Sequence, residues 1–115
     1  HYGENRYGGG THTKTPLTSG AFALLKEIER VGIGLDLTHL SDEAFWQAVD
    51  AFAGVVLASH QNARRFVDDQ RQFSDEQLKV VIERGGVIGA ALDAWMLQPN
   101  FKRGVTQPEI TLDRV

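Results

Sequence analysis

Gly34-Leu35-Asp36-Leu37-Thr38-His39-Leu40-Ser41 is an apolar run too short for a helix, closed by a histidine and followed by a helical pattern. Val55-Val56-Leu57-Ala58-Ser59-His60 repeats that design 21 residues later. The two read as strands over 33–39 and 55–60, with His39 and His60 at their C-terminal ends. In a parallel α/β sheet or barrel that end is where ligands and catalytic groups sit. Neighbouring strands lie about 4.8 Å apart and imidazole binds zinc at about 2.0–2.1 Å, so both rings can reach one ion. His39 and His60 are therefore a candidate metal pair. The plainer alternative is that each only hydrogen-bonds at a strand end.

Outward from this pair the chain alternates. Ser41 can cap a helix over 42–53, with Asp42 and Glu43 in its first turn and Phe45, Ala48, Val49 and Phe52 on its buried face. Upstream, Ala21, Leu24, Leu25, Ile28 and Val31 recur at helical spacing and predict a helix over 19–31, capped by Thr18 or Ser19, with Gly32 at C′. Downstream, Ala63, Phe66 and Val67 among charges predict a short helix over 62–70. Ser74-Asp75-Glu76-Gln77 matches a capping box and opens a helix over 75–84, with Leu78, Val81 and Ile82 inward. Gly85-Gly86 stops it, and 87–93 reads as a third strand. Helix and strand in alternation imply adjacent parallel strands with right-handed crossovers. Strand parity sets His39 beside Leu37 and His60 beside Ala58, whose small side chain would leave room for an ion. It sets Asp36 on the opposite face, where a carboxylate needs a bulge or a hydrogen bond to a neighbouring loop.

The chain has 115 residues, 42% hydrophobic and 23% charged, the composition of one ordinary globular domain. Nothing in it suggests disorder, and no stretch is apolar enough for a membrane span; a soluble protein is expected. Its net charge of −3 and scattered Lys and Arg give no basic field for nucleic acid. With no cysteine, a metal here must use histidines and carboxylates. Residues 1–16, with Gly8-Gly9-Gly10, Pro16 and several threonines, read as loop. The chain opens on His1-Tyr2-Gly3 without a methionine or an apolar targeting segment, and 110–115 reads like the first turn of a helix. Both ends fit a piece of something larger.

Asp36-Leu37-Thr38-His39-Leu40-Ser41, Ser59-His60-Gln61-Asn62-Ala63-Arg64, Arg71, Asp75-Glu76 and Gly85-Gly86-Val87-Ile88-Gly89 resemble, in order and spacing, the middle of the membrane (renal) dipeptidase family of metallopeptidases. The resemblance runs through nearly all of the chain. It implies consecutive β/α units of an amidohydrolase-like (β/α)8 barrel, incomplete here, with residues 1–115 forming the central portion of one domain. It further implies a two-zinc centre that cleaves dipeptides, in which His39 and His60 bind the second ion with a bridging glutamate. Arg71 would hold the substrate's terminal carboxylate, although by itself it reads as a solvated arginine. A substrate-contacting histidine followed closely by an asparagine fits His1 with Asn5 better than His12, which reads as a loop residue. Gln61, Gln70 and Gln72 depart from the family's usual residues and bear on substrate preference. The His-x-Asp pair, the bridging glutamate and a late aspartate lie outside the chain, so the fragment alone is expected to be inactive.

Two other readings compete. One is a non-catalytic barrel segment or ligand-binding module that keeps the histidines without activity. The other takes Gly8-Gly9-Gly10 as a phosphate cradle, which lacks a preceding strand and a Lys-Ser or Lys-Thr pair. The dipeptides accepted, the compartment and association into a homo-oligomer are open at this level.

Overall fold

A computed structural model describes residues 4–114, with the side chain of Arg114 left aside. Three parallel strands form one sheet in the order β1 (Leu35–Asp36), β2 (Val56–Ala58), β3 (Val87–Ile88). Leu35 is in register with Val56, and Leu57 with Val87. Helix α1 (Ser19–Arg30) precedes β1, α2 (Asp42–Ala51) connects β1 to β2, and α3 (Asp75–Glu83) precedes β3. The expected alternation and the parallel pairing are both present.

The helix boundaries follow from capping chemistry. Ser41 Oγ accepts from the Ala44 N–H at 3.1 Å, and Ser74 with Gln77 forms the reciprocal capping box. Thr18 occupies the N-cap of α1, but its hydroxyl donates to Arg6 O at 2.9 Å and ties the N-terminal loop down instead. Gly32 takes φ 74° just past α1, the left-handed conformation that a helix end favours in glycine.

The strands are much shorter than the apolar runs suggest. At the start of the first run, Ile33 N–H bonds back to Ile28 O and so belongs to the helix exit. At its end, a turn closed by Leu40 N–H to Leu37 O takes over, with His39 at φ 71°. Residues 62–70 are not a helix. Arg64 N–H donates to Phe73 O and Phe73 N–H to Asn62 O, so these groups run across the loop rather than along an i to i−4 ladder.

One cluster forms the core: Leu25 from α1, Phe45, Ala48 and Phe52 from or beside α2, Val81 from α3, and Leu37, Val56, Ala58 and Phe73. Phe45 and Phe73 meet edge to face at 5.0 Å. Ala58 lies fully buried in this core. Ile82, expected inward, is 64% exposed. No helix among the described residues is long and apolar enough to cross a membrane.

Candidate metal and substrate site

The turn after β1 and the bend after β2 carry His39 and His60 to the same end of the sheet, which the parallel register makes adjacent. Their Nε2 atoms lie 3.0 Å apart, with ring centroids at 5.0 Å. At this separation both nitrogens can bind one ion at about 2.0–2.1 Å, with an angle at the metal of roughly 90–95°.

The opposite ring nitrogens are hydrogen-bonded. The Thr11 hydroxyl donates to His39 O at 3.4 Å and lies 3.1 Å from His39 Nδ1. Toward Nδ1 this hydroxyl donates or accepts according to the His39 tautomer. Ser59 Oγ stands 2.8 Å from His60 Nδ1 and donates to Asp36 Oδ2 at 2.5 Å. The two Nε2 atoms face each other at hydrogen-bonding distance, so without an ion one donates an N–H to the other, and both offer lone pairs once a cation replaces that proton. Burial, then the charges of Arg71 and His60, lowers the His39 imidazole to about 4, which keeps it neutral and able to ligate at neutral pH. The residues present therefore fit two ligands of a metal ion. Among the described residues there is no group of three His, Cys, Asp or Glu that could complete a centre.

Asp36, whose place the sequence leaves open, spans the two strand ends. Its carboxylate accepts from Thr38 N–H at 3.0 Å and Ser59 N–H at 3.2 Å as well as from the Ser59 hydroxyl. Desolvation pushes its pKa up, but the bonds from Ser59 and Thr38 outweigh it and leave the carboxyl below the usual range. The hydrogen bond to a neighbouring loop, rather than a bulge, accounts for this residue.

Arg71 sits on the irregular 61–73 segment and is 5% exposed, so it is not a solvated arginine. One guanidinium nitrogen donates to Gln61 Oε1 at 2.6 Å and the other to His60 O at 2.7 Å. Gln61 closes the contact by donating from Nε2 to Arg71 O at 2.8 Å. Arg71, His39, His60, Thr11 and His12 line one cavity of about 620 Å³ together with Ala90, Ala91, Leu92, Asp93, Trp95 and Met96. A second cavity, about 770 Å³ between the N-terminal loop, α1 and β1, has mainly apolar walls and includes only His39 of the histidine pair.

His12 stands at the rim, φ 66°, with Nε2 2.7 Å from Asp69 Oδ1. His1 lies outside the described residues. Thr11, Ser59 and Asp69 escape a reading of the sequence as parts of the site, because short polar residues beside a histidine or arginine carry no periodic signal. Of these, Ser59 stands next to His60 in the chain.

The family model for membrane dipeptidase (peptidase family M19) matches residues 4–115. An uncharacterized protein in the pqqA 5′ region of Klebsiella pneumoniae is 26% identical over 96% of this chain and 44% of its own length. Dipeptidase 3 of Rattus norvegicus is 32% identical over 78% of this chain and 18% of its own length. The crystal structure of an amidohydrolase from Pseudomonas aeruginosa superposes with a TM-score of 0.77 at 27% identity, over 84% of this chain and 30% of that one. The chain thus spans less than half the length of the curated relatives it matches.

Proposed function

The chain belongs to the membrane dipeptidase family, peptidase family M19, and on that premise we propose that the protein carrying it hydrolyses dipeptides at a two-zinc centre. His39 and His60 hold one of the ions, and Arg71 holds the substrate's terminal carboxylate. The observation that carries the reading is the 3.0 Å approach of the two Nε2 atoms, each backed by a hydrogen-bonded Nδ1.

Residues 1–115 then supply the central β/α units of a (β/α)8 barrel. The three-stranded parallel sheet, open at β1 and β3, and Val55 and Val87 left 67% and 72% exposed support this, since a barrel would cover them. Carboxylates outside these residues complete the coordination, as two neutral imidazoles leave a divalent cation without charge balance.

When bound, the metal centre supplies Lewis-acid activation of the peptide carbonyl and of a water molecule. The residues of this chain orient. His39 and His60 offer their Nε2 atoms, and the Arg71 guanidinium, permanently charged and anchored on Gln61 and His60 O, attracts a carboxylate from the wall of the same cavity. Ala90, Ala91 and Trp95 give that cavity a wall suited to a small apolar side chain.

Metal analysis of the intact protein together with a dipeptide-hydrolysis assay tests the proposal. The expected result is bound zinc and hydrolysis in the wild type, with about one metal equivalent and nearly all activity lost in His60→Ala. Full metal content and activity in that variant would leave His60 as a strand-end residue and favour the non-catalytic alternative.

A further inference from the structure

We propose that Asp36 and Ser59 form a positioning relay that holds the His60 imidazole in its Nδ1–H tautomer, so that Nε2 is the nitrogen offered to an ion. Its consequence for metal binding rests on the function proposed above, whereas the relay itself rests on hydrogen-bond geometry alone.

The argument is one of proton counting. An ionised carboxylate is only an acceptor. Asp36 Oδ1 takes the backbone N–H of Thr38 and of Ser59, and Oδ2 takes the Ser59 hydroxyl at 2.5 Å. That commits the one proton Ser59 Oγ has. Toward His60 Nδ1, 2.8 Å away, Ser59 Oγ can then only accept, and Nδ1 must carry the ring proton. The remaining ring nitrogen, Nε2, is the one that faces His39.

The two backbone bonds fix the carboxylate across the ends of β1 and β2, so the relay is built from the same strands that bring the histidines together. It also gives Asp36 a task that core packing does not, because the residue is exposed and outside the apolar cluster. A carboxylate behind a ligating histidine is a general means of fixing ring orientation and ligand basicity; here the hydroxyl of Ser59 stands between the two.

The test is long-range ¹H–¹⁵N correlation of the intact, metal-free protein labelled at the histidine rings, with the His60 signals assigned by their loss in His60→Gln. Wild type is expected to show a protonated Nδ1 and a pyridine-like Nε2 at His60. In Asp36→Asn the amide nitrogen can donate but not accept, so the Ser59 hydroxyl turns to His60 Nδ1 and the ring becomes Nε2–H. Ser59→Ala should lose the fixed tautomer and Ser59→Thr, which keeps the hydroxyl, should retain it. Zinc affinity should fall about 10- to 100-fold in Asp36→Asn and Ser59→Ala and stay near wild type in Ser59→Thr.

An Nε2–H ring in the wild type, or one unchanged tautomer across all the variants, would overturn the relay. A wild type that binds no zinc yet switches tautomer in Asp36→Asn would uphold the relay while removing the metal function. The two failures are therefore distinguishable.

Discussion

The sheet end that carries the histidines and the loop that carries Arg71 meet at one cavity, yet they are held by different means. His39 and His60 are placed by two short parallel strands whose apolar side chains sit in the core, and hydroxyl groups then set the rings. Residues 61–73 have no helix or strand, yet Gln61, Asn62, Arg71 and Gln72 are all buried there. A buried loop must still satisfy its backbone and that of its neighbours. Side-chain amides do so here. Asn62 Nδ2 donates to Ala91 O and its Oδ1 accepts from Ala91 N–H, as a neighbouring strand would. Gln72 Nε2 donates to Met96 O, and Gln61 spans to Arg71 O. Strand pairing places the first half of the site, and buried amides joined to cross-loop backbone bonds such as Arg64 N–H to Phe73 O place the second.

The largest effect expected from this contrast is in Asn62→Ala. It strands both backbone groups of Ala91, which is itself 8% exposed, and each buried unpaired group costs about 1–3 kcal/mol. Urea unfolding should therefore show a loss of about 2–6 kcal/mol. A loss within about 0.5 kcal/mol, ordinary for surface substitutions, would mean that the loop is held by something other than its amides.

Arg71→Lys comes next. Lysine keeps the charge but not the fork that reaches Gln61 and His60 O together, so under the proposed function KM of the intact protein for a dipeptide should rise about tenfold, with metal content unchanged. Unchanged KM would return Arg71 to a purely structural part in the loop. Lost metal would mean that the two halves of the site are not separable.

The same contrast explains what the sequence makes legible. The helices, the parallel order of the strands and the approach of His39 to His60 are carried by apolar spacing, capping residues and glycines, which act locally and leave a periodic mark. Apolar runs overstate the strand lengths because they do not show where a turn such as that at His39 intervenes. Residues 62–70 read as a helix because Ala63, Phe66 and Val67 have helical spacing, while the decisive groups, Asn62 and Gln72, are polar residues whose burial depends on partners 24 to 29 positions away. Arg71 is legible only through resemblance, since an arginine among charges gives no sign of being buried.

The smallest effect concerns Asp69, which braces the Arg71 loop by charge as well as by shape. Its Oδ1 accepts from Arg71 N–H and from His12 Nε2, each at 2.7 Å. Burial pushes its carboxyl up, but the bonds from Arg71 and His12 prevail and leave it below the usual range. A carboxyl depressed in the folded state adds stability above its unfolded pKa of about 3.9, and that stability is lost as pH falls through the folded value. In Asp69→Asn the side-chain amide oxygen can still accept from Arg71 N–H, but the group cannot titrate. Wild type should therefore exceed Asp69→Asn by under about 1 kcal/mol at pH 7, given the exposure of His12. The margin should shrink once the pH drops below about 4. Urea midpoints at pH 7, 4 and 3 measure it. A margin that does not change with pH would show that Asp69 serves only as a neutral acceptor, and would make the Arg71 loop wholly a structure of amide-type hydrogen bonds.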